Sequence, residues 1–297
     1  MFLTRLTLSA CLLLAPAAFS QLTTLPPPVE LVRTAVENEI KASKDENAHF
    51  MFRSTKTTPR GSVTRVYIEA KEATAGMTVA YDGKPLAPEQ RRAEEARVDR
   101  FIRNPDELRR KHKQEQDDAD RSLRIIRAIP DAFLFEYDGE QPASPGVGRL
   151  GTSLAVVKFH PNPDYQPPSR VEQVLTGMQG VVLIDPVHKR LASIDGTLFK
   201  DVSFGWGILG HLDRGGHFLV QQQDIQDPYW YLSRMTLKFT GKILLIKSLS
   251  IESTEVFSDI KLVPPTLTFA EAVEMLKKEE PVVARETARI PAPARSH

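Results

Sequence analysis

The feature that most constrains this chain is the stretch from residue 132 to 262, where short apolar runs alternate with turn-forming residues. Residues 133–135, 154–159, 181–184, 191–194, 198–204, 217–222, 231–239, 243–251 and 256–262 have strand character. Asp185-Pro186, Asp195-Gly196, residues 213–216, Asp227-Pro228 and Thr240-Gly241 stand between them as turn signals. Such close spacing leaves no room for helical crossovers, so it predicts antiparallel hairpins. Within residues 231–239, Tyr231, Met235, Leu237 and Phe239 fall on one face. Residues 171–178 interrupt with a short helical pattern.

The flanks are helical. Val29, Val32, Val36 and Ile40 recur at spacings of three and four behind Pro28, which suits a first helical position. Strands at Phe50/Phe52, 63–68 and 77–81 follow, the last closed by Asp82-Gly83. A final helix is predicted over 269–278, with a capping box from Thr268 to Glu271. A Pro/Ala/Arg-rich tail from 281 to 297 is expected to be disordered.

Residues 89–127 differ from both. They hold 12 basic and 10 acidic residues among 39. Two helices fit, the second opening at Asn104-Pro105-Asp106-Glu107 and expected to stop before Pro130. Residues 109–118 contain no large apolar side chain, so that part cannot be buried. The segment reads as a solvated helical hairpin over 89–128, or as an arm that docks an envelope partner.

Residues 1–20 read as a secretory signal. Arg5 is followed by a mostly apolar run, and Ala18 and Ser20 place cleavage between Ser20 and Gln21. Cys11, the single cysteine, is a weaker candidate for a lipid anchor. Cleavage would remove Cys11, leaving no thiol for disulfide, metal or nucleophile. It would also leave equal numbers of acidic and basic residues and no membrane-spanning segment. That balance speaks against a nucleic-acid partner.

The motif search is largely negative. Gly205-Trp206-Gly207-Ile208-Leu209-Gly210 spells the dinucleotide fingerprint, but the residues that follow break a helix where the phosphates need one. No cofactor is expected. His211 and His217, with Asp213 between them, lack a third partner, so no metal site is expected. His160 and His188 read as surface residues. No G-x-S-x-G is present, and paired carboxylates leave a hydrolase of unknown type as a third possibility. A different candidate is apolar. Phe204, Trp206, Leu209 and Phe218 surround the glycine-rich connection and could line a site for an acyl chain.

Residues 133–276 resemble a family of uncharacterised secreted bacterial proteins. The likeness rests on Ile129-Pro130-Asp131-Ala132-Phe133, Phe159-His160-Pro161-Asn162-Pro163, residues 182–186, Ile194-Asp195-Gly196, 204–210, Gly215-Gly216-His217-Phe218 and 262–272. More distantly, Leu183-Ile184-Asp185-Pro186 leading into residues 190–194 is similar to the carriers and receptors that sort lipoproteins to the outer membrane. That resemblance implies a strongly curved antiparallel sheet, a half-open barrel whose helices cover a hollow for acyl chains. The charged insertion departs from it.

The expectation is one α+β domain over 21–280, with the two flanking helices packed on the sheet. The expected function is an exported, non-enzymatic binding protein of the periplasm or envelope. Its ligand would be hydrophobic or lipid-bearing, an acyl chain or a lipoprotein.

Overall fold

The computed structural model describes residues 25–204, 210–243 and 247–287. The expected signal segment, its expected cleavage point, Cys11, Trp206 and Leu209 lie outside the described residues.

Helix α1 (Pro28–Ala42) starts with proline at its first turn, as its sequence requires. Strands β1 (His49–Thr58), β2 (Gly61–Glu69), β3 (Thr74–Tyr81) and the two-residue β4 (Lys84–Pro85) form a meander. The charged segment makes α2 (Pro88–Arg103) and α3 (Pro105–Ala132). Asn104 caps α3 by accepting the Glu107 N–H at 3.3 Å. Next come β5 (Phe133–Pro142), β6 (Ser153–Pro161), the short α4 (Arg170–Gln173) with a 3₁₀ turn, β7 (Met178–Asp185) and β8 (Arg190–Leu198). The chain ends with β9 (Val202–Phe204), β10 (Gly210–Leu212), β11 (His217–Gln226), β12 (Tyr229–Ile243), β13 (Lys247–Val263) and α5 (Phe269–Thr287).

All thirteen strands join one antiparallel sheet in the order β4-β3-β2-β1-β13-β12-β11-β8-β7-β6-β5, with β9 and β10 attached through β12. The sheet does not close into a barrel. Its curvature follows from two lengths. From β3 to β5 along the strand order is nine inter-strand steps, an arc of about 43 Å at about 4.8 Å per step. Glu115 of α3 accepts the Thr74 N–H of β3 at 3.1 Å, and α3 then leads directly into β5 at Phe133. That helical chord is about 27 Å at 1.5 Å per residue. A chord under two-thirds of its arc is the proportion of a half circle. Helix α3 is therefore a strut across the mouth of a half-barrel.

The two faces carry different cores. On the concave face, Leu31, Val32, Ala35 and Val36 of α1 and Ile129 of α3 pack on Val157, Phe159, Val182, Ile184 and Leu198. On the convex face, Phe269, Val273 and Leu276 of α5 pack on Val66, Ile68 and Met77. Each such fully buried side chain contributes about 2 kcal/mol. Alternation along β2 separates the two layers, since Val66 and Ile68 point away from Tyr67.

Several expectations need correction. Helix α3 runs through Pro130 to Ala132. The missing N–H there costs one bond, while Ile129 and Ala132 are both in the core. Helix α5 extends past Lys278 to Thr287, so residues 281–287, expected as tail, are helical; Glu279 and Glu280 before Pro281 and Ala284, Arg285 and Glu286 beyond Val282-Val283 are good helix formers. Residues 243–251 and 256–262, expected as two strands, belong to the 17-residue β13 except at 243, which ends β12, and at 244–246, outside the described residues. Residues 199–201 break the single strand expected over 198–204.

Two turn signals are not turns. Asp195-Gly196 lies inside β8 and Thr240-Gly241 inside β12. A side chain at Gly196 would collide with the Phe218 ring, and one at Gly241 with the backbone of His211. These glycines permit close approach rather than reversal.

Candidate functional site

Between the two helical layers lie β11, β12 and the adjoining part of β13. Helix α1 packs on β5, β7 and β8, and α5 on β2 and β3. Register places Val220 beside Ile194 of the concave core and opposite Met235. Met235 in turn lies opposite Glu255, which accepts a hydrogen bond from Ser54. Facing residues of an antiparallel pair share a side. The concave row is thus Phe218 and Val220 on β11, Met235, Leu237 and Phe239 on β12, and Ile251 on β13.

The convex row of the same strands is mostly polar, with Leu219 and Val256 the apolar exceptions. Thr236 and Thr254 meet at 3.2 Å, and Lys238 and Glu252 at 3.9 Å. This is the period-2 pattern of a strand with one wet side and one dry side. Yet the dry side is not dry. Residues 217–225 are all half-buried, and Ile251 is 39% exposed. The apolar row is built as a core face, and among the described residues no helix packs on it.

Of the four predicted ligand-binding residues, Phe204 and Phe218 are described. Both pack at the margin of the concave core, together with Leu212 and Phe239. The Phe218 ring rests over Gly196 and the Phe239 ring against Gly216. Gly210, the last glycine of the G-x-G-x-x-G string, opens strand β10, where a phosphate-binding fingerprint needs a helix.

Toward β1 and β2 the concave floor turns aromatic. Phe52 stacks on Tyr67 at 5.2 Å, and Tyr231 lies 5.1 Å from Phe52 and 6.4 Å from Phe257. Glu69 sits beneath this cluster, accepting from the Tyr231 hydroxyl and the Phe50 N–H, each at 2.9 Å. Desolvation raises its carboxyl from 4.5 to about 7, against the pull of those two donors.

Polar residues at the other end hold α1 in place. Glu39 accepts from the Arg190 guanidinium at 2.8 and 3.0 Å, from the Leu191 N–H and from Gln222. Each partner is 10% exposed, so the pair is shielded from solvent. Arg190 also lies over Trp230 at 5.6 Å. Sequence reasoning missed this brace because its members are 151 residues apart.

The histidines serve as braces. His211 pairs with Asp213 at 3.1 Å and His217 with Asp195 at 2.8 Å, two separate contacts. His188, expected on the surface, is half-buried between Asp185 at 2.9 Å and Arg149 at 2.9 Å. Arginine only donates, so Nε2 accepts and Nδ1–H donates to Asp185. Asp185 also accepts the N–H groups of Val187 and His188, both at 2.9 Å, which locks the β7–β8 turn. Among the described residues no group of three or more His, Cys, Asp or Glu side chains converges as a metal site.

No family model matches the chain, and no curated protein matches it. Two solved structures are similar to it. One is a "putative outer membrane lipoprotein-sorting protein domain" from Vibrio parahaemolyticus, 11% identical, covering 84% of this chain and 98% of that chain, with a TM-score of 0.30. The other is a DUF1329 family protein from Desulfovibrio piger, 8% identical, covering 80% and 94%, with a TM-score of 0.26.

Proposed function

We propose that this is an exported, non-enzymatic binding protein of the cell envelope, and that its ligand carries an acyl chain. The acyl chain lies along the concave row of Phe218, Val220, Met235, Leu237 and Phe239, with Phe204 near its end. One observation carries this reading: the row has the side-chain chemistry of a core face but is only half-buried. Covering it with an acyl chain would gain about 0.8 kcal/mol per buried CH₂.

The test is native mass spectrometry of the purified protein together with uptake of a fluorescent fatty acid. Retained lipid and saturable uptake are expected in the wild type, and at least tenfold weaker uptake in Leu237→Asp. Leu237 is half-buried on the concave row, so a charge there meets the ligand. Equal uptake by the two proteins, at equal melting temperature, would remove the reading.

A further inference from the structure

Where α2, the first turns of α3 and the start of α5 meet the β3 edge, a cleft of about 470 Å³ opens. Arg65, Tyr67, Thr78, Tyr81, Arg97 and Lys111 line it, together with the Glu94 carboxylate. Two of its three cations are neutralised locally. Arg97 is paired with Glu94 at 2.8 Å, and Lys111 with Glu115. Arg65 is different. It makes one long hydrogen bond, 3.4 Å, to the neutral Thr78 hydroxyl, and has no acidic partner among the described residues. A guanidinium lining a confined cleft, beside two hydroxyl groups, matches a planar or tetrahedral anion.

The cleft is also the end of the apolar floor. Tyr67 lines it, and the Tyr67 ring stacks on Phe52, which contacts Tyr231 and Phe257. From β2 to β11 is four inter-strand steps, about 19 Å, within reach of a long acyl chain. We infer that the cleft takes the anionic headgroup of a fatty acid, held by Arg65 with Thr78 and Tyr81, while its chain crosses the aromatic cluster toward Val220 and Phe218. This deepens the proposed function and rests on it.

The experiment compares oleate with oleyl alcohol, which has the same chain and no charge, by displacement of a fluorescent probe from the full-length protein at pH 8. The wild type is expected to bind oleate about tenfold more tightly than the alcohol. Arg65→Gln should bring oleate down to the level of the alcohol, and Arg65→Lys should keep most of the preference. Equal binding of both by the wild type, or an undiminished preference in Arg65→Gln, overturns the headgroup site and leaves the chain site standing. Failure of the wild type to bind either removes the carrier reading, and the headgroup site with it.

Discussion

The two edges of the sheet are treated in opposite ways. At the β3 edge, β4 covers only Ala80 and Tyr81. Farther along, residues 74, 76 and 78 point their backbone groups outward, and the charged helices meet them. Glu115 accepts the Thr74 N–H at 3.1 Å, Arg97 donates to the Gly76 carbonyl at 2.6 Å, and Glu94 accepts the Thr78 N–H at 2.6 Å. At the other edge, β5 pairs with β6 alone and exposes Glu136, Asp138 and Glu140. One edge is closed by side-chain hydrogen bonds, the other guarded by charge. The comparison accounts for Glu94, Arg97 and Glu115 within residues 89–127. A helix that must satisfy a strand edge needs carboxylates and guanidinium groups where a core-packing helix would carry leucines.

The largest effect should come from breaking the closed edge. Replacing Glu94 and Arg97 together by alanine leaves a β3 N–H and carbonyl without their partners, and is expected to cost about 4 kcal/mol in urea unfolding. It should also bring concentration-dependent self-association in sedimentation, and unchanged stability would show that the caps are ornamental. A smaller effect lies one strand inward. Glu69 titrates near 7 in the fold and near 4.5 when exposed, so between those pH values the folded state holds a proton that the unfolded chain has released. Stability should decline as pH rises from about 4.5 to 7 and level off above. Glu69→Gln should flatten that slope and gain up to about 3 kcal/mol at pH 8. Identical pH profiles for the two proteins would refute the burial of a proton there.

Glu115→Ala removes a single cap and should cost about 1 kcal/mol. The smallest effect belongs to the open edge. Asp138 meets Lys158 at 2.8 Å with both side chains about half exposed, and Asp138→Ala should change stability by less than about 0.5 kcal/mol. Light scattering should nonetheless show more association, because a guarding charge is gone. A loss of stability as large as at the other edge would erase the contrast.

Local signals made many elements readable in advance. The capping box of α5 is present, with the Glu271 carboxylate accepting from the Thr268 N–H at 2.9 Å. The apolar stripe of α1 faces the core, and the charged segment forms the two expected helices. Phe204 and Phe218 flank the glycine-rich connection in the sequence, and both pack at the margin of the concave core. Arg65 was not singled out, since it stands in a strand of alternating pattern where an arginine reads as ordinary surface. Gly196 and Gly241 misled for a related reason. A glycine beside aspartate or threonine signals a turn locally, but here each makes room for an atom brought from a different strand.

The one-dimensional order of apolar and polar residues was enough to set strands of period two, helices with named caps and the antiparallel plan. Those depend on interactions within a few residues. The bend of the sheet, the closure of its β3 edge and the half-covered concave row arose only in three dimensions. They hang on contacts such as Thr74 with Glu115 and Glu39 with Arg190, 41 and 151 residues apart, where no local preference reaches and only the packed chain decides which polar groups find partners.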